Sequence, residues 1–352
     1  GQLTARALAA GGALAEFDPA APLNPAAVAG WLVMGAYGQY APERRTSEVG
    51  AGRVSAFLPR FPVFAVGLPL SPKWTLGFSA SSLLERNFFT ATAGRQLVRD
   101  DSVTVRTSSR VQGNMSDLRV AVAYTPATWL RVGAAYHVVG GENRTELRRV
   151  FEIDNGGTID SSTLQPVGER SELGFSGRAI SLGVDVRPLP ALYVAGSIRR
   201  GATLESRVGS TVASRADVPN RLGIAGRYEG IPGVRLAARW ERVDWSAMQG
   251  LGSGVARAFD TDEWGAGVEL NGPSIQKSPT DLRLGIRRRT LPWGVGGVQP
   301  EERAITGGFA LPFARGRFII DVGVERADRS VPGLTGVSEQ AWTTAIGVRV
   351  RP

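Results

Sequence analysis

The sequence predicts an all-β fold: a transmembrane antiparallel β-barrel of about 14 strands with an N-terminal plug inside the lumen. Three observations predict it. Short turn-like links alternate with longer polar stretches along the 352 residues, and the segments between them alternate apolar and polar side chains. Residues 4–31 fit neither pattern, because they are rich in Ala, Gly and Pro and have neither the period of a strand nor that of a helix.

The connections between the predicted strands come in two lengths. The short links are residues 68–74, 124–129, 187–193, 228–233, 270–281 and 311–316, and the long stretches are 43–53, 90–110, 140–172, 200–219, 246–262, 291–303 and 328–339. This asymmetry is typical of outer-membrane barrels, which have short periplasmic turns and long extracellular loops. It predicts an integral protein of a Gram-negative outer membrane, in contact with its lipids, with both termini periplasmic and the long loops extracellular.

Within each predicted strand one face is apolar, and the other carries Arg, Gly and small residues. In residues 130–138, Val132 and Tyr136 share a face, and Arg131 and His137 lie on the opposite one. Aromatic residues lie near the short links (Trp74, Tyr124, Trp129, Tyr193, Tyr228, Phe313 and Phe318) and near the loop ends (Trp31, Tyr136, Trp240, Trp264 and Trp342). A soluble sandwich also alternates but gives no reason for two aromatic belts, so the belts favour a membrane barrel.

Composition excludes several other classes of protein. The mean hydropathy is −0.06, and no run approaches the roughly 18 apolar residues of a transmembrane helix. There is no cysteine for a disulfide or a thiolate metal site. The net charge of +9 comes from scattered arginines, with no basic run longer than 287–289, so no nucleic-acid partner is predicted.

The N-terminal stretch is too apolar for a solvated tail and needs a sheltered place. The lumen of the barrel is such a place, so the sequence predicts a plug over residues 1–30 and a barrel over residues 31–352. A loosely ordered terminus is the alternative.

Two irregularities stand out in the strand pattern. Pro59 and Pro62 interrupt the second predicted strand, and proline cannot donate to a ladder. This predicts a break in the wall, which is either a functional gap or a break in a loop arm above the membrane. The apolar parity also switches after Trp240, which predicts a β-bulge near Glu241 and Arg242.

Charged residues with lumen parity form the largest candidate site. They are Arg131, His137, Arg221, Arg227, Arg235, Arg239, Glu241, Arg283, Arg287, Arg289, Asp321 and Glu325, together with Glu263 and Glu269. Their guanidinium groups could hold a carboxylate ligand bidentately. Alternatively, they form an ion-pair network that fills the interior and holds the plug.

The sequence gives little support for catalysis or metal binding. His137 is the only histidine and belongs to no recognisable nucleophile motif, so no enzymatic activity is predicted. Asp260, Asp262 and Glu263 could collect Ca²⁺, but their spacing is not that of a calcium loop, and a solvated acidic cluster is the alternative. No cofactor is expected.

The N-terminal stretch resembles the plug signature of the FadL-type outer-membrane transport family. Gly11, Gly12, Asp18 and the tripeptide Asn24-Pro25-Ala26 carry the resemblance. PorV-type barrels of the type 9 secretion system have a similar segment. The resemblance implies a 14-stranded barrel with an internal plug and, in the transporters, a lateral opening for hydrophobic substrates. The family places its wall kink in the third strand, whereas the prolines here lie in the second predicted strand.

Two functions follow as expectations. The first is passage of a hydrophobic or amphipathic, fatty-acid-like molecule through the barrel. The second is a PorV-like interaction barrel that docks a secretion or cell-surface complex through its outer loops, above all 140–172, without a transported solute. The best apolar capture segment in those loops, residues 150–153, is short.

Overall fold

The computed structural model describes residues 2–50, 52–98, 101–153, 166–251, 257–275, 278–294 and 297–352. One short α-helix, α1, covers Ala5–Ala9, and 3-10 helices cover Pro25–Gly30, Trp245–Leu251 and Ala314–Gly316. The strands of the first half are β1 (Gly35–Tyr40), β2 (Glu43–Val49), β3 (Gly52–Leu58), β4 (Val63–Pro69), β5 (Trp74–Val98), β6 (Asp101–Ala127), β7 (Leu130–Ile153), β8 (Val167–Leu189), β9 (Leu192–Gly201) and β10 (Thr203–Val208). Those of the second half are β11 (Thr211–Asp217), β12 (Arg221–Ile231), β13 (Val234–Val243), β14 (Arg257–Ala258), β15 (Thr261–Ile275), β16 (Ser278–Thr290), β17 (Trp293–Gly294), β18 (Glu301–Phe313), β19 (Phe318–Ser330) and β20 (Val337–Val350).

Antiparallel pairing closes the sheet on itself. Ala36 of β1 pairs with Val350 of the last strand on one side and with Val66 of β4 on the other. In four places two strands in sequence continue one another along the wall: β1 with β2, β3 with β4, β9 with β10 and β11 with β12. The 18-stranded sheet therefore forms fourteen wall strands, as predicted. β14 and β17 pair separately as a small ribbon.

The wall has an apolar outer face and a crowded inner face. Burial alternates along β20, where Ile346 and Val348 point outward and Ala345 is fully buried. Leu284, Ile286 and their equivalents on other strands are likewise exposed, which a lipid-facing surface requires. Among the described residues, no helix has the length and apolarity needed to cross a bilayer.

Several stretches predicted as loops are strands instead. β5 to β8 are 23 to 27 residues long, far more than the roughly 10 that cross a membrane. Their far ends, which we call the extended end of the barrel, include most of 90–110 and much of 140–172. Residues 154–165 lie outside the described part of the chain. The prediction was wrong here because polar residues predominate in these strand ends and leave no sustained apolar period.

The predicted bulge near Glu241 and Arg242 is also wrong. β13 pairs regularly with β12 and β15 as far as Val243, which keeps the inward parity of Glu241. Trp245 no longer belongs to the strand, since it begins a 3-10 helix. The apparent switch therefore comes from an apolar residue on the lumen face and not from an extra residue in the ladder.

Two predicted belt aromatics lie inside the barrel. Trp31 is buried, and its indole Nε1 donates to the carbonyl oxygen of Pro19 at 2.9 Å. Tyr193 has the inward parity of β9 and packs against Phe17. Tyr193 contacts the N-terminal stretch and Trp31 belongs to it, and sequence periodicity could not place that stretch against particular strands.

Candidate functional site

The N-terminal stretch, residues 2–31, forms a compact inner segment that we call the N-terminal segment. Thr4 caps α1, because its hydroxyl accepts from the amide of Ala7 at 3.1 Å. Asn24 caps the following 3-10 helix in the same way, accepting from the amide of Ala26 at 2.9 Å. Pro25 occupies the first position of this helix, where a missing N–H costs little. The Asn-Pro-Ala tripeptide is therefore a helix start.

The N-terminal segment circles the inside of the wall in the reverse order of the strands. Its contacts pass from β19 and β18 to β16 and β15, then to β13, β12 and β9, and finally to β8, β7, β5 and β4. Contacts with β6, β20 and β1 complete the circle. The segment thus contacts all fourteen wall strands.

Glycines on the lumen face allow this close approach. A Cβ added to Gly285 or Gly267 would overlap the backbone of Ala10, and one added to Gly183 would overlap Asn24. Further lumen glycines meet the segment in the same way: Gly67, Gly77, Gly133, Gly265, Gly308 and Gly323. Gly11 and Gly12 of the segment have φ angles of 65° and 80°, which suit glycine and turn the chain after α1.

Three ion-pair groups attach the segment to the wall. Arg6 donates to Glu269 at 3.0 Å. Glu16 accepts from Arg221 and also lies 3.6 Å from Arg239. Asp18 accepts from Thr4 at 2.5 Å and from Arg349 at 3.5 Å. All three carboxylates are buried, so each depends on these partners for compensation of its charge.

The arginines with lumen parity meet protein carboxylates. Arg283 bridges Glu269 at 2.6 Å and Asp321 at 2.7 Å. Arg287 donates to Glu325 at 2.7 Å. The remaining pairs are Arg235 with Glu269, Arg239 with Glu241 and Glu263, Arg289 with Glu302, and Arg131 with Asp185. Arg227 pairs with Glu229 at 2.9 Å and also lies over the rings of Phe17 and Tyr193, at 4.7 and 4.4 Å from their centroids. The lumen arginines therefore form an ion-pair network with carboxylates of the protein itself.

Sequence reasoning missed several members of this network. Glu302, Arg329 and Glu43 lie in stretches interpreted as loops or loop edges, yet all three are ion-paired on the lumen side of wall strands. Glu16 was missed because it belongs to the N-terminal segment rather than to a strand. Its position two residues before Asp18 was the only available signal.

His137 belongs to a buried hydrogen-bonded chain across three neighbouring strands. Its Nδ1 lies 2.8 Å from Asp117, and its Nε2 lies 2.8 Å from the hydroxyl of Ser181. Arg199 donates to the same aspartate at 3.4 Å. Acid, histidine and serine in this order form a catalytic triad only where the serine faces substrate. Ser181 lines none of the three cavities described below.

The predicted calcium ligands do not converge. Asp262 and Glu263 are consecutive residues of β15 and point to opposite faces of the wall. Arg242 pairs with Asp260 at 3.4 Å and with Asp262 at 3.8 Å, whereas Glu263 pairs inward with Arg239. Among the described residues, no three carboxylate or histidine side chains are grouped to hold a metal ion.

Two cavities lie in the lumen beyond the N-terminal segment. The central cavity, about 460 Å³, is lined by charged groups such as Arg239, Glu263 and Arg329. The upper cavity, about 110 Å³, lies towards the extended end and is mainly apolar. Its apolar lining is Leu84, Met115, Phe175, Met248, Leu251 and Trp293. Leu84 and Trp293 also line the central cavity, so the two spaces adjoin.

The wall is interrupted beside these cavities. Pro59 and Pro62 lie in the gap between β3 and β4, and in the described part of the chain β3 pairs with β2 and has no pairing with β5. β5 pairs with β4 as far as Ser81, and its register with β6 shifts between Ser82 and Leu84. The outer half of β5 therefore has a wall neighbour on one side only. Both the second and the third wall strands are irregular at this level.

A pocket on the barrel's flank marks the interruption. It measures about 220 Å³ and is lined by Phe61, Phe64, Ala80 and Ser82 among others. Phe61 and Phe64 are exposed on the outer face. Gln39 lines both this flank pocket and the central cavity, so only a thin layer separates the lumen from the lipid-facing side.

No protein-family model matches the sequence, and no curated protein matches it. Solved structures match over nearly the whole chain. A Pseudomonas aeruginosa FadL homologue has 10% identity and a TM-score of 0.67, with 99% of this chain and 98% of that chain covered. The Ralstonia pickettii toluene transporter TbuX has 13% identity and a TM-score of 0.60, with 99% and 98% covered. The P. putida toluene transporter TodX has 14% identity and a TM-score of 0.61, with the same coverage. The chain therefore has the fold of the FadL-type outer-membrane barrels.

Proposed function

We propose that this protein lets small hydrophobic molecules cross the outer membrane of a Gram-negative bacterium. One observation carries the proposal: a mainly apolar cavity lies at the extended end of the lumen, beside a larger cavity that is lined by charged groups. A structural barrel interior has no need of such a space, because apolar groups are normally packed without voids. The function requires no chemical step and no cofactor.

The size of the upper cavity favours a ligand of about one ring. An apolar cavity of roughly 150 Å³ in another protein binds benzene, and the upper cavity measures about 110 Å³. Toluene transporters are among the solved structures of similar fold. A fatty acid would have to extend its chain past Leu84 and Trp293 into the charged central cavity. We therefore propose small ring compounds ahead of fatty acids.

The interruption in the wall provides the exit. The direct path along the barrel axis is closed by the N-terminal segment and by buried ion pairs, which an apolar molecule cannot replace favourably. The path past Pro62 and Ser82 leads instead to the flank pocket, where Phe61 and Phe64 face outward. We propose that the ligand leaves sideways through this interruption, as the resemblance to the transporters implies.

Filling the upper cavity is expected to abolish uptake. Met248 lines the cavity and is buried, so Met248→Trp places a larger ring where the ligand would lie. We expect the uptake of radiolabelled toluene by cells producing this variant to fall about tenfold or more, to the level of cells without the protein. Met34→Trp is the matched control, because Met34 is exposed and outside the cavity. Unchanged uptake with Met248→Trp would contradict the proposal.

Blocking the flank is expected to separate binding from passage. Ser82→Trp introduces a ring at the flank pocket and leaves the lining of the upper cavity unchanged. We expect toluene binding to the purified protein to persist while uptake falls about tenfold. Thr344→Trp, on the outward face of β20, is the control. Normal uptake with Ser82→Trp would indicate that the ligand leaves through the lumen and not through the flank.

If the wild-type protein binds neither toluene nor a fatty acid, docking of a partner through the extended end becomes the better explanation.

A further inference from the structure

Two polar atoms beside the upper cavity have no hydrogen-bond partner in the described part of the chain. They are the indole Nε1 of Trp293 and the amide Oδ1 of Asn143, and both are buried from solvent. Both residues line the same cavity. One atom is a donor and the other an acceptor, and buried polar atoms left unpaired are unfavourable and rare.

These two atoms reach the cavity from different elements. Asn143 lies on β7 opposite Gly113 of β6, and a Cβ on that glycine would come within 2.6 Å of the amide oxygen. Gly113 therefore leaves the space that the Asn143 amide occupies. Trp293 comes from the β14–β17 ribbon, where it pairs with Ala258. The indole and the amide thus enter one apolar space from a wall strand and from a separate ribbon.

We propose that the upper cavity binds small hydrophobic molecules that carry one neutral hydroxyl group, with phenols as the representative class. The hydroxyl donates to Oδ1 of Asn143 and accepts from Nε1 of Trp293, while the ring packs against Leu84, Phe175 and Met248. This inference rests on the proposed function and narrows its ligand. We expect hydroxylated compounds to bind in this cavity more tightly than the corresponding hydrocarbons.

The charges at the cavity favour a neutral ligand over an acid. Arg86 and Glu142 line the cavity together, and both are exposed, so the lining has no net charge from this pair. A carboxylate can accept but cannot donate, so it would leave the Asn143 oxygen unpaired and bring two acceptors together. A hydrocarbon would leave both polar atoms unpaired. A single neutral hydroxyl supplies both the donor and the acceptor that are missing.

The test compares two ligands that differ by one hydroxyl, toluene and p-cresol. Equilibrium dialysis of the purified full chain in detergent, corrected for partition into protein-free micelles, gives both dissociation constants. We expect p-cresol to bind about tenfold more tightly than toluene. Trp293→Phe and Asn143→Leu each remove one of the two polar atoms, so each should reduce the ratio of p-cresol to toluene affinity about fivefold or more. The ratio is the measured quantity, because the change in side-chain volume acts on both ligands. Trp245→Phe is the matched control, because Trp245 packs on the same apolar cluster without lining the cavity.

The possible outcomes separate the two proposals. If neither ligand binds, the proposed function fails. If both bind equally and the two substitutions change nothing, the hydroxyl inference is overturned and the proposed function stands. Tight binding of benzoate that is lost in Arg86→Gln would overturn the inference in favour of an acidic ligand.

Discussion

Gly267→Val is expected to displace the N-terminal segment and to open the lumen to ions. The lumen face of Gly267 lies against the backbone of Ala10, and a Cβ there would overlap the carbonyl oxygen of that residue. Valine adds three carbons at a place where the segment has no side chain to move aside. We expect conductance in a planar bilayer to rise from near zero to that of a variant lacking residues 2–25.

Trypsin provides a second measurement of the same change. Arg6 is the only Lys or Arg in the N-terminal segment, and it is held against Glu269, so cleavage after it should be slow in the wild-type protein and fast in Gly267→Val. Gly226→Val is the control, because an added Cβ at Gly226 meets nothing within 4 Å. Unchanged conductance and unchanged protection of Arg6 would show that the segment does not close the lumen.

Glu269→Ala is expected to destabilise the barrel strongly. This carboxylate is 1% exposed and accepts from Arg6, Arg235 and Arg283. Its removal leaves these guanidinium groups without their shared counter-charge, and breaking one buried pair in this way typically costs about 3–5 kcal/mol. We expect a marked fall in the urea concentration at which the barrel unfolds from lipid vesicles.

An exposed carboxylate is the matched control for that experiment. Glu172 lies near the extended end, where hydrogen bonds from Arg170 and Arg144 lower the pKa of its carboxyl group. Solvent screens these pairs, so Glu172→Gln should leave the unfolding midpoint unchanged. The double variant Glu269→Ala with Arg6→Ala removes one stranded charge and should recover part of the loss. A midpoint for Glu269→Ala equal to that of the control would contradict the network's role in stability.

The class of fold and the parity of its lumen residues could be predicted from the sequence. Arg283 and Arg287 point inward as their spacing with Leu284 and Ile286 requires, because a strand's two-residue period is set by backbone geometry alone. The Asn24-Pro25-Ala26 tripeptide was visible as a motif, but its role as a helix start became apparent only in the structure. What these residues contact was not visible, since the partners lie as many as 331 positions away, as in Asp18 with Arg349.

The upper cavity could not be predicted for a different reason. Its apolar residues are single members of separate elements, for example Leu84 on β5, Phe175 on β8 and Trp293 on a two-residue strand. No window of sequence contains more than a few of them. Leu84 also follows the register shift in β5, so its parity cannot be counted from Leu76. The residues that line the upper cavity are therefore brought together only by strand pairing.

The circular path of the N-terminal segment has a consequence for the timing of assembly. The segment is synthesised first, yet the amide of Gly11 donates to Thr306, a partner 295 residues later in the chain. Contacts of such long range form late, because the intervening chain must be ordered before they give any stability. We therefore expect the wall to form before the segment takes its final place in the lumen. Since the segment touches every wall strand, we expect it to reach its final position only after the last hairpin has joined the sheet. A defect anywhere in the wall should therefore delay the burial of Arg6.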